Sequence, residues 1–335
     1  MTQPALSLIP SDNHAGLLRM LYLIREVEEE IARRYPEGKM RCPTHLSIGQ
    51  EGVPAVMSVL LNQQDLAVST HRSHAHYLAK GGDLTAMLAE IYGRVGGCSG
   101  GRGGSMHLID ERVGFKGSTA IVGNTIPIGV GLGLALKMQQ AESQVAVVYL
   151  GDGAIEEGAF YEAANFAVVQ KLPVLFVCEN NLYSVYSSLQ VRQPQDRKIA
   201  ELAAALGLKS AAGDGNDLPG CYATIAPLLA QVRAGQGPAL VELATYRWRE
   251  HCGPHYDNDL GYRSENEFLQ WRARDPLSLF EQRLQQEGQW RMEDCLKLRV
   301  EVQLQVQQAF ADAESQPYPA STEAYTQVYR ENLNG

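Results

Sequence analysis

GDGAIEEGAFYEAANFAVVQKLPVLFVCENNLYS, residues 151 to 184, decides how this chain is read. An aspartate stands between two glycines, a segment with helical spacing follows, an apolar run comes next, and two asparagines close the stretch. One acid is too little for hydrolysis, and the glycines lack the spacing of a dinucleotide-binding loop. QVAVVYL (144–150) and PVLFVCE (173–179) are unbroken apolar runs, the pattern of strands covered on both faces in a parallel sheet. With EEGAFYEAANFAVVQK between them they make a strand–helix–strand unit.

That unit sets Asp152 and Gly153 at the carboxyl end of a strand, opening the helix that follows. Free backbone N–H groups and the positive end of a helix attract an anion there, most naturally a phosphate. An aspartate aimed at the same spot repels it unless a divalent cation lies between them. Asn181 lies 29 residues beyond Asp152, just past the next strand, so both side chains can meet at one sheet edge. Magnesium takes oxygens in near-octahedral array. Asp152, Asn181 and the Tyr183 carbonyl can supply three, leaving the rest to phosphate and water. Alone, GDG is a common turn and NN a common loop; together, at these strand ends and this separation, they point to a cation–diphosphate site.

Working outward, 335 residues can bury a large core, and 45% hydrophobic with 20% charged residues is the mix of a globular protein. Lysine and arginine number 29 against 38 acids, and the net charge of −9 argues against nucleic acid or an anionic membrane as the main partner. The opening MTQPALSLIPSDNH lacks a signal-peptide pattern, and no segment approaches about 18 unbroken apolar residues, so a cytoplasmic location is expected. Six cysteines without a CxxC pair favour free thiols, mostly packing residues. Cys252 stands apart, beside His251 in a polar loop.

LLRMLYLIREVEEEIARRY (17–35) has the spacing of an amphipathic helix started at Ser11 or Asp12. DLAVSTHR (65–72) runs from a short strand into polar residues, where chemistry gathers in open α/β sheets. The glycine-rich GRVGGCSGGRGGSMH (93–107) must loop with its backbone close to something. IPIGVGLGLALKMQQ (126–140) predicts a helix whose small-residue face packs tightly, and GPALVELATYRW (237–248) a buried strand after a helix near 220–234. From 264 onward, ENEFLQWRARDPLSLFEQRL and RMEDCLKLRVEVQLQVQQAFADAE predict closing helices. Without an internal repeat or linker, the expectation is a single α/β domain over 1–335, a mainly parallel sheet flanked by helices with helical extensions.

The GDG-to-NN stretch resembles the thiamine diphosphate motif. THLSIGQE (44–51), HRSHAHYLAKG (71–81), GGRGGSMHLID (100–110), IVGNTIPIGVGLGLALK (121–137) and TYRWREH (245–251) stand in the order found in the α subunit of 2-oxo acid dehydrogenases, over nearly the whole chain. These are the thiamine-dependent first components of the pyruvate, branched-chain and acetoin systems. The resemblance implies a thiamine diphosphate-binding fold and an oxidoreductase. It assigns Asp152, Asn181 and the Tyr183 carbonyl to Mg2+, and Arg72 and Arg247 to the diphosphate. Gly151, Gly153 and Ala154 join that cofactor site; Ala120 and Val122 meet the aminopyrimidine through main-chain atoms. His45, His74 and His251 are implied at the reacting end. His71 stands where many relatives have tyrosine, which alters a diphosphate hydrogen bond; His76 lies in the same stretch.

In that family a β subunit supplies the glutamate that binds the pyrimidine. The resemblance therefore implies two α and two β chains with cofactor sites between them, and a chain nearly inactive alone. It further implies a small 2-oxo acid substrate and an acyltransferase or carrier protein as acceptor. The match departs in one loop: relatives read close to GHSxxD after TYR, whereas EHCGPHYDND here puts Cys252 in place of a serine and adds about two residues before Tyr262. Serine phosphorylation there is unsupported, and loop 250–261 leaves the acceptor open. Two other readings stay open at this point: transketolase-like ketol or acyl transfer, or carboligation on a ketose, without a lipoyl partner; and a non-catalytic scaffold.

Overall fold

The computed structural model describes residues 5–326; the expected domain 1–335 runs past these at both ends, into residues that lie outside the described ones. Six strands form one sheet: β1 (Leu66–Ser69), β2 (Phe115–Ser118), β3 (Ala146–Gly151), β4 (Val174–Asn180), β7 (Lys209–Asp214) and β8 (Ala239–Ala244). A two-residue hairpin, β5 (Tyr183–Ser184) and β6 (Ser187–Ser188), stands apart. The order across the sheet is β2-β1-β3-β4-β8-β7, and every pairing is parallel. The α/β expectation holds.

The apolar runs of β3 and β4 are continuous because each feeds two cores. Val147, Tyr149, Leu175 and Val177 point into one; Val148, Leu150, Phe176 and Cys178 point into the other. On the first face lie α1 (His14–Arg34), α2 (Gly52–Leu60), α3 (His74–Ala79), α4 (Leu84–Ile91) and α9 (Leu218–Arg233), joined by α11 (Pro276–Gln286) and α12 (Met292–Ser315). Leu17, Leu21, Ile24 and Ile31 give α1 its buried stripe. On the second face lie α5 (Thr125–Met138), α6 (Gly158–Val169) and α8 (Ile199–Ala205). The short α7 (Leu189–Arg192) and α10 (Glu265–Arg272) complete the described helices.

The tight-packing face expected of 126–140 is real. A Cβ on Gly129 would sit 2.2 Å from Cγ2 of Val148, and one on Gly133 would sit 2.4 Å from Cγ2 of Val174, so these glycines let α5 lie directly on β3 and β4. Several boundaries move. The 237–248 strand ends at Ala244, leaving the TYRW residues as loop, and 265–284 splits into α10 and α11 because Asp275 caps a new helix at Pro276. Asp152 does not open α6 directly: a short 3-10 turn, Asp152–Glu156, intervenes, and the extended Glu157 separates it from the helix.

At the amino ends of the strands, one carboxylate ties three segments. Asp65 accepts from the backbone N–H of Asn62 at 2.7 Å and Val145 at 3.1 Å, and from both terminal nitrogens of Arg233 on α9 at 2.8 Å each. None of the helices among the described residues is long and apolar enough to cross a membrane.

Candidate functional site

Because all six strands run one way, their carboxyl ends share an edge. The chain leaves β1 toward β2 on one side and returns to β3 on the other, so a crevice opens between β1 and β3, the place where open α/β sheets bind ligands. Thr70, His71 and Arg72 follow β1, Ala120 and Val122 follow β2, Gly151 ends β3 and Asp152 to Ala154 follow it, Glu179 lies near the end of β4 and Asn181 just past it, and His251 comes from the loop after β8. All of them, with Tyr183, Ser184 and His45, line one cavity. At about 160 Å³ it falls below the roughly 300–1,000 Å³ of a complete small-molecule pocket.

Asp152 is buried, and burial lifts its carboxyl above the usual range although Arg192 opposes the shift. The Arg192 guanidinium donates to both Asp152 and Glu156. A positive charge thus already sits against Asp152, the demand a divalent cation would meet. Asn181 accepts the Tyr183 N–H on its Oδ1 at 3.2 Å and donates from Nδ2 to Gln50 Oε1 at 3.1 Å. A Cβ on Gly153 would lie 2.7 Å from Ser184 Oγ and 3.4 Å from Arg192, so glycine keeps this cradle open.

Arg72 is buried and donates to the carbonyls of Leu46 at 2.5 Å and His251 at 3.2 Å. Burial, with the Arg247 charge behind it, pulls its guanidinium down to about 10. A buried cation destabilised in this way, with carbonyl acceptors only, is suited to an anion in the cavity. Magnesium and a diphosphate therefore fit this donor set: a buried carboxylate that already draws a cation, an amide oxygen, a glycine cradle and a buried guanidinium.

The structure does not gather every expected residue. Arg247 is fully buried behind the cavity wall rather than lining it. It donates to the carbonyls of Arg249 and Val185 at 2.7 Å each and to the Tyr262 hydroxyl at 2.8 Å, and pairs with Asp257 at 3.3 Å. Asp257 belongs to the divergent 250–261 loop, which thereby captures this arginine. His74 is also withdrawn: its Nδ1 lies 3.2 Å from Glu28 and its Nε2 is 2.8 Å from Ser105 Oγ, in a fully buried relay behind the wall. His76 stacks on Tyr149, ring centroids 3.8 Å apart, and meets Ser69 Oγ at 2.7 Å.

His45, His71 and His251 do converge, with ring centroids 4.6 to 5.2 Å apart. Burial and then the Arg72 charge drive all three down, His71 and His251 to about 3 and His45 further, so all are neutral at physiological pH. Cys252 is exposed, and partial desolvation with Glu250 beside it raises its thiol, which does not suit a nucleophile. All six cysteines are free.

Arg192 and Glu179 escaped the sequence reading, as did Gln50, which sits unremarked inside THLSIGQE. Glu90 also escaped. Its carboxylate accepts the N–H groups of Ser99 at 2.7 Å, Gly101 at 2.8 Å, Gly103 at 2.5 Å and Gly104 at 3.1 Å. The glycine-rich loop, expected to bring its backbone close to something, wraps the protein's own acid, and from it Ser105 reaches His74 and Met106 reaches the cavity.

The family model described as "Dehydrogenase E1 component" matches residues 19–322. The chain belongs to the dehydrogenase E1 component family. Several relatives named pyruvate dehydrogenase E1 component subunit alpha align with nearly all of it. That of Rickettsia conorii is 34% identical over 92% of this chain and 93% of its own length. That of Rhizobium meliloti is 34% identical over 92% and 88%. That of Zymomonas mobilis is 35% identical over 96% and 91%. Such coverage leaves no large segment of these E1 relatives unmatched.

Proposed function

We propose that this chain is the α subunit of a thiamine diphosphate-dependent 2-oxo acid dehydrogenase, acting on pyruvate or a close analogue together with a β subunit. The observation that carries it is the convergence of Asp152, Asn181, Tyr183 and Gly153 on one crevice, with Asp152 neutralised by an internal cation. E1 membership and the names of the relatives support it, and neither favours the transketolase-like transfer or the scaffold reading.

Asp152, Asn181 and the Tyr183 carbonyl hold Mg2+; the N–H groups of Gly153 and Ala154 and the guanidinium of Arg72 bind the diphosphate. Arg247 acts as a charge held behind Arg72. When bound, the cofactor supplies a carbon nucleophile and an electron sink for loss of carbon dioxide from a 2-oxo acid. His45, His71 and His251, neutral and without hydrogen-bond partners on their rings among the described residues, can donate to a substrate carboxylate or carbonyl at the mouth. His74 positions the wall through Ser105 rather than touching the reacting atoms.

The small cavity supports a site completed by a second chain, which supplies the pyrimidine-side glutamate. The proposal includes two α and two β chains and an acyltransferase or carrier protein as acceptor. The test is reconstitution: the purified chain with Mg2+, thiamine diphosphate and pyruvate reduces an artificial electron acceptor only after the β chain is added. Turnover by the chain alone, unchanged by the β chain, would overturn the proposal.

A further inference from the structure

His45, His71 and His251 come from three separated stretches of chain: the loop before α2, the end of β1 and the loop after β8. They bring one ring nitrogen each into a group whose ligand atoms all lie within 4.8 Å of one another. His45 is 6% exposed, and its Nδ1 is buried without a hydrogen-bond partner. Buried polar atoms are rarely left unpaired without a reason.

We propose that these three imidazoles form a binding site for a borderline divalent cation of the zinc class, and that its occupancy closes the mouth of the crevice. This goes beyond the magnesium reading: Mg2+ takes hard oxygens, while three imidazoles and one open position are a donor set for zinc. Because the rings are neutral, the metal displaces no protons. Zinc–nitrogen bonds of about 2.0–2.1 Å set tetrahedral ligands about 3.4 Å apart, so ring nitrogens now within 4.8 Å must close by up to about 1.4 Å. No hydrogen bond on any of the three rings among the described residues resists that tilt.

Two features bound the affinity. Arg72 opposes a second positive charge nearby, and no carboxylate or carbonyl among the described residues orients the rings from behind. Binding is therefore reversible and weaker than at a structural zinc centre. The arginine also selects the fourth ligand: an anion, such as a small carboxylate, balances the cation and Arg72 together. A metal held here with a carboxylate occupies the ground on which a 2-oxo acid substrate would lie.

The experiment uses the full chain freed of metal by a chelator. Calorimetry with Zn2+ in a non-coordinating buffer is expected to give one equivalent per chain. Zinc-edge X-ray absorption of the wild-type protein is expected to show imidazole nitrogens and no sulfur. His71→Phe and His251→Phe each weaken Zn2+ binding at least about tenfold, about 1.4 kcal/mol, while Cys252→Ser leaves it unchanged. Sulfur in the absorption spectrum, loss of binding in Cys252→Ser, or no stoichiometric binding overturns the proposal; the wild-type spectrum decides even if a phenylalanine variant misfolds. None of these readouts requires thiamine diphosphate, so the zinc site stands or falls separately from the cofactor assignment.

Discussion

The guanidinium of Arg192, on a four-residue helix, donates to the carboxylate of Asp152 forty residues earlier in the chain. The pair is buried, and Glu156 shares the arginine. Arg192 thus competes with any cation that Asp152 is to hold. Arg192→Gln is expected to tighten Mg2+-dependent thiamine diphosphate binding by roughly three- to tenfold, about 1 kcal/mol, and to lower the melting temperature without ligand. Asp152→Ala should weaken the same binding by at least about a hundredfold. Calorimetry with and without Mg2+ measures both; equal affinity in Asp152→Ala and wild type would sink the metal assignment.

Outside the crevice, Glu90 gathers four backbone N–H groups on one carboxylate. Glutamine offers one oxygen and turns an N–H toward donors. Glu90→Gln should cost about 2–4 kcal/mol in urea unfolding. Faster amide exchange at residues 99–104 should accompany it. Unaltered exchange there means the carboxylate is not what holds the loop.

Two glycines of α5 predict opposite signs. Gly129→Ala forces a methyl group to within 2.2 Å of Val148 and should cost about 1–3 kcal/mol. Gly131, two residues on, faces outward with nothing within 4 Å, so Gly131→Ala should add about 0.5–1 kcal/mol through helix propensity alone. Thermal or urea unfolding of the two variants side by side checks the contrast.

Cys252 is the exposed cysteine, and its raised thiol leaves little thiolate at neutral pH. Iodoacetamide should label it more slowly than a free cysteine, and the rate should rise as pH climbs past the ordinary thiol value of about 8.5. Cys178, Cys221 and Cys295 should stay unlabelled in the folded protein. Peptide mapping reads each site. Labelling faster than free cysteine would revive a nucleophilic role for Cys252.

The meeting of Asp152 and Asn181 in one crevice was legible because strand ends in a parallel sheet must share an edge, so the two could be brought together from spacing alone. Partners that arrive from elsewhere in three dimensions were not. Arg192 reaches Asp152 from a helix too short to leave a periodic trace, and Glu90 meets its loop through backbone N–H groups that carry no residue identity. His74 and Arg247 sit in the expected stretches, but a stretch does not reveal which way a side chain turns. Glu28 draws one inward and Asp257 takes the other. The α10–α11 break was written in Asp275 and Pro276, a cap followed by a helix-starting proline, inside a run whose apolar spacing alone suggested one helix.

Asp65 gives the sheet a mechanical polarity. By fastening the turn before β1, the entry to β3 and the end of α9 at the pole away from the crevice, it works like the spine of a comb. The teeth it fastens are tied at their roots and not at their tips. Filling or emptying the crevice can then re-aim loops at one rim while the packed layers beneath stay in register.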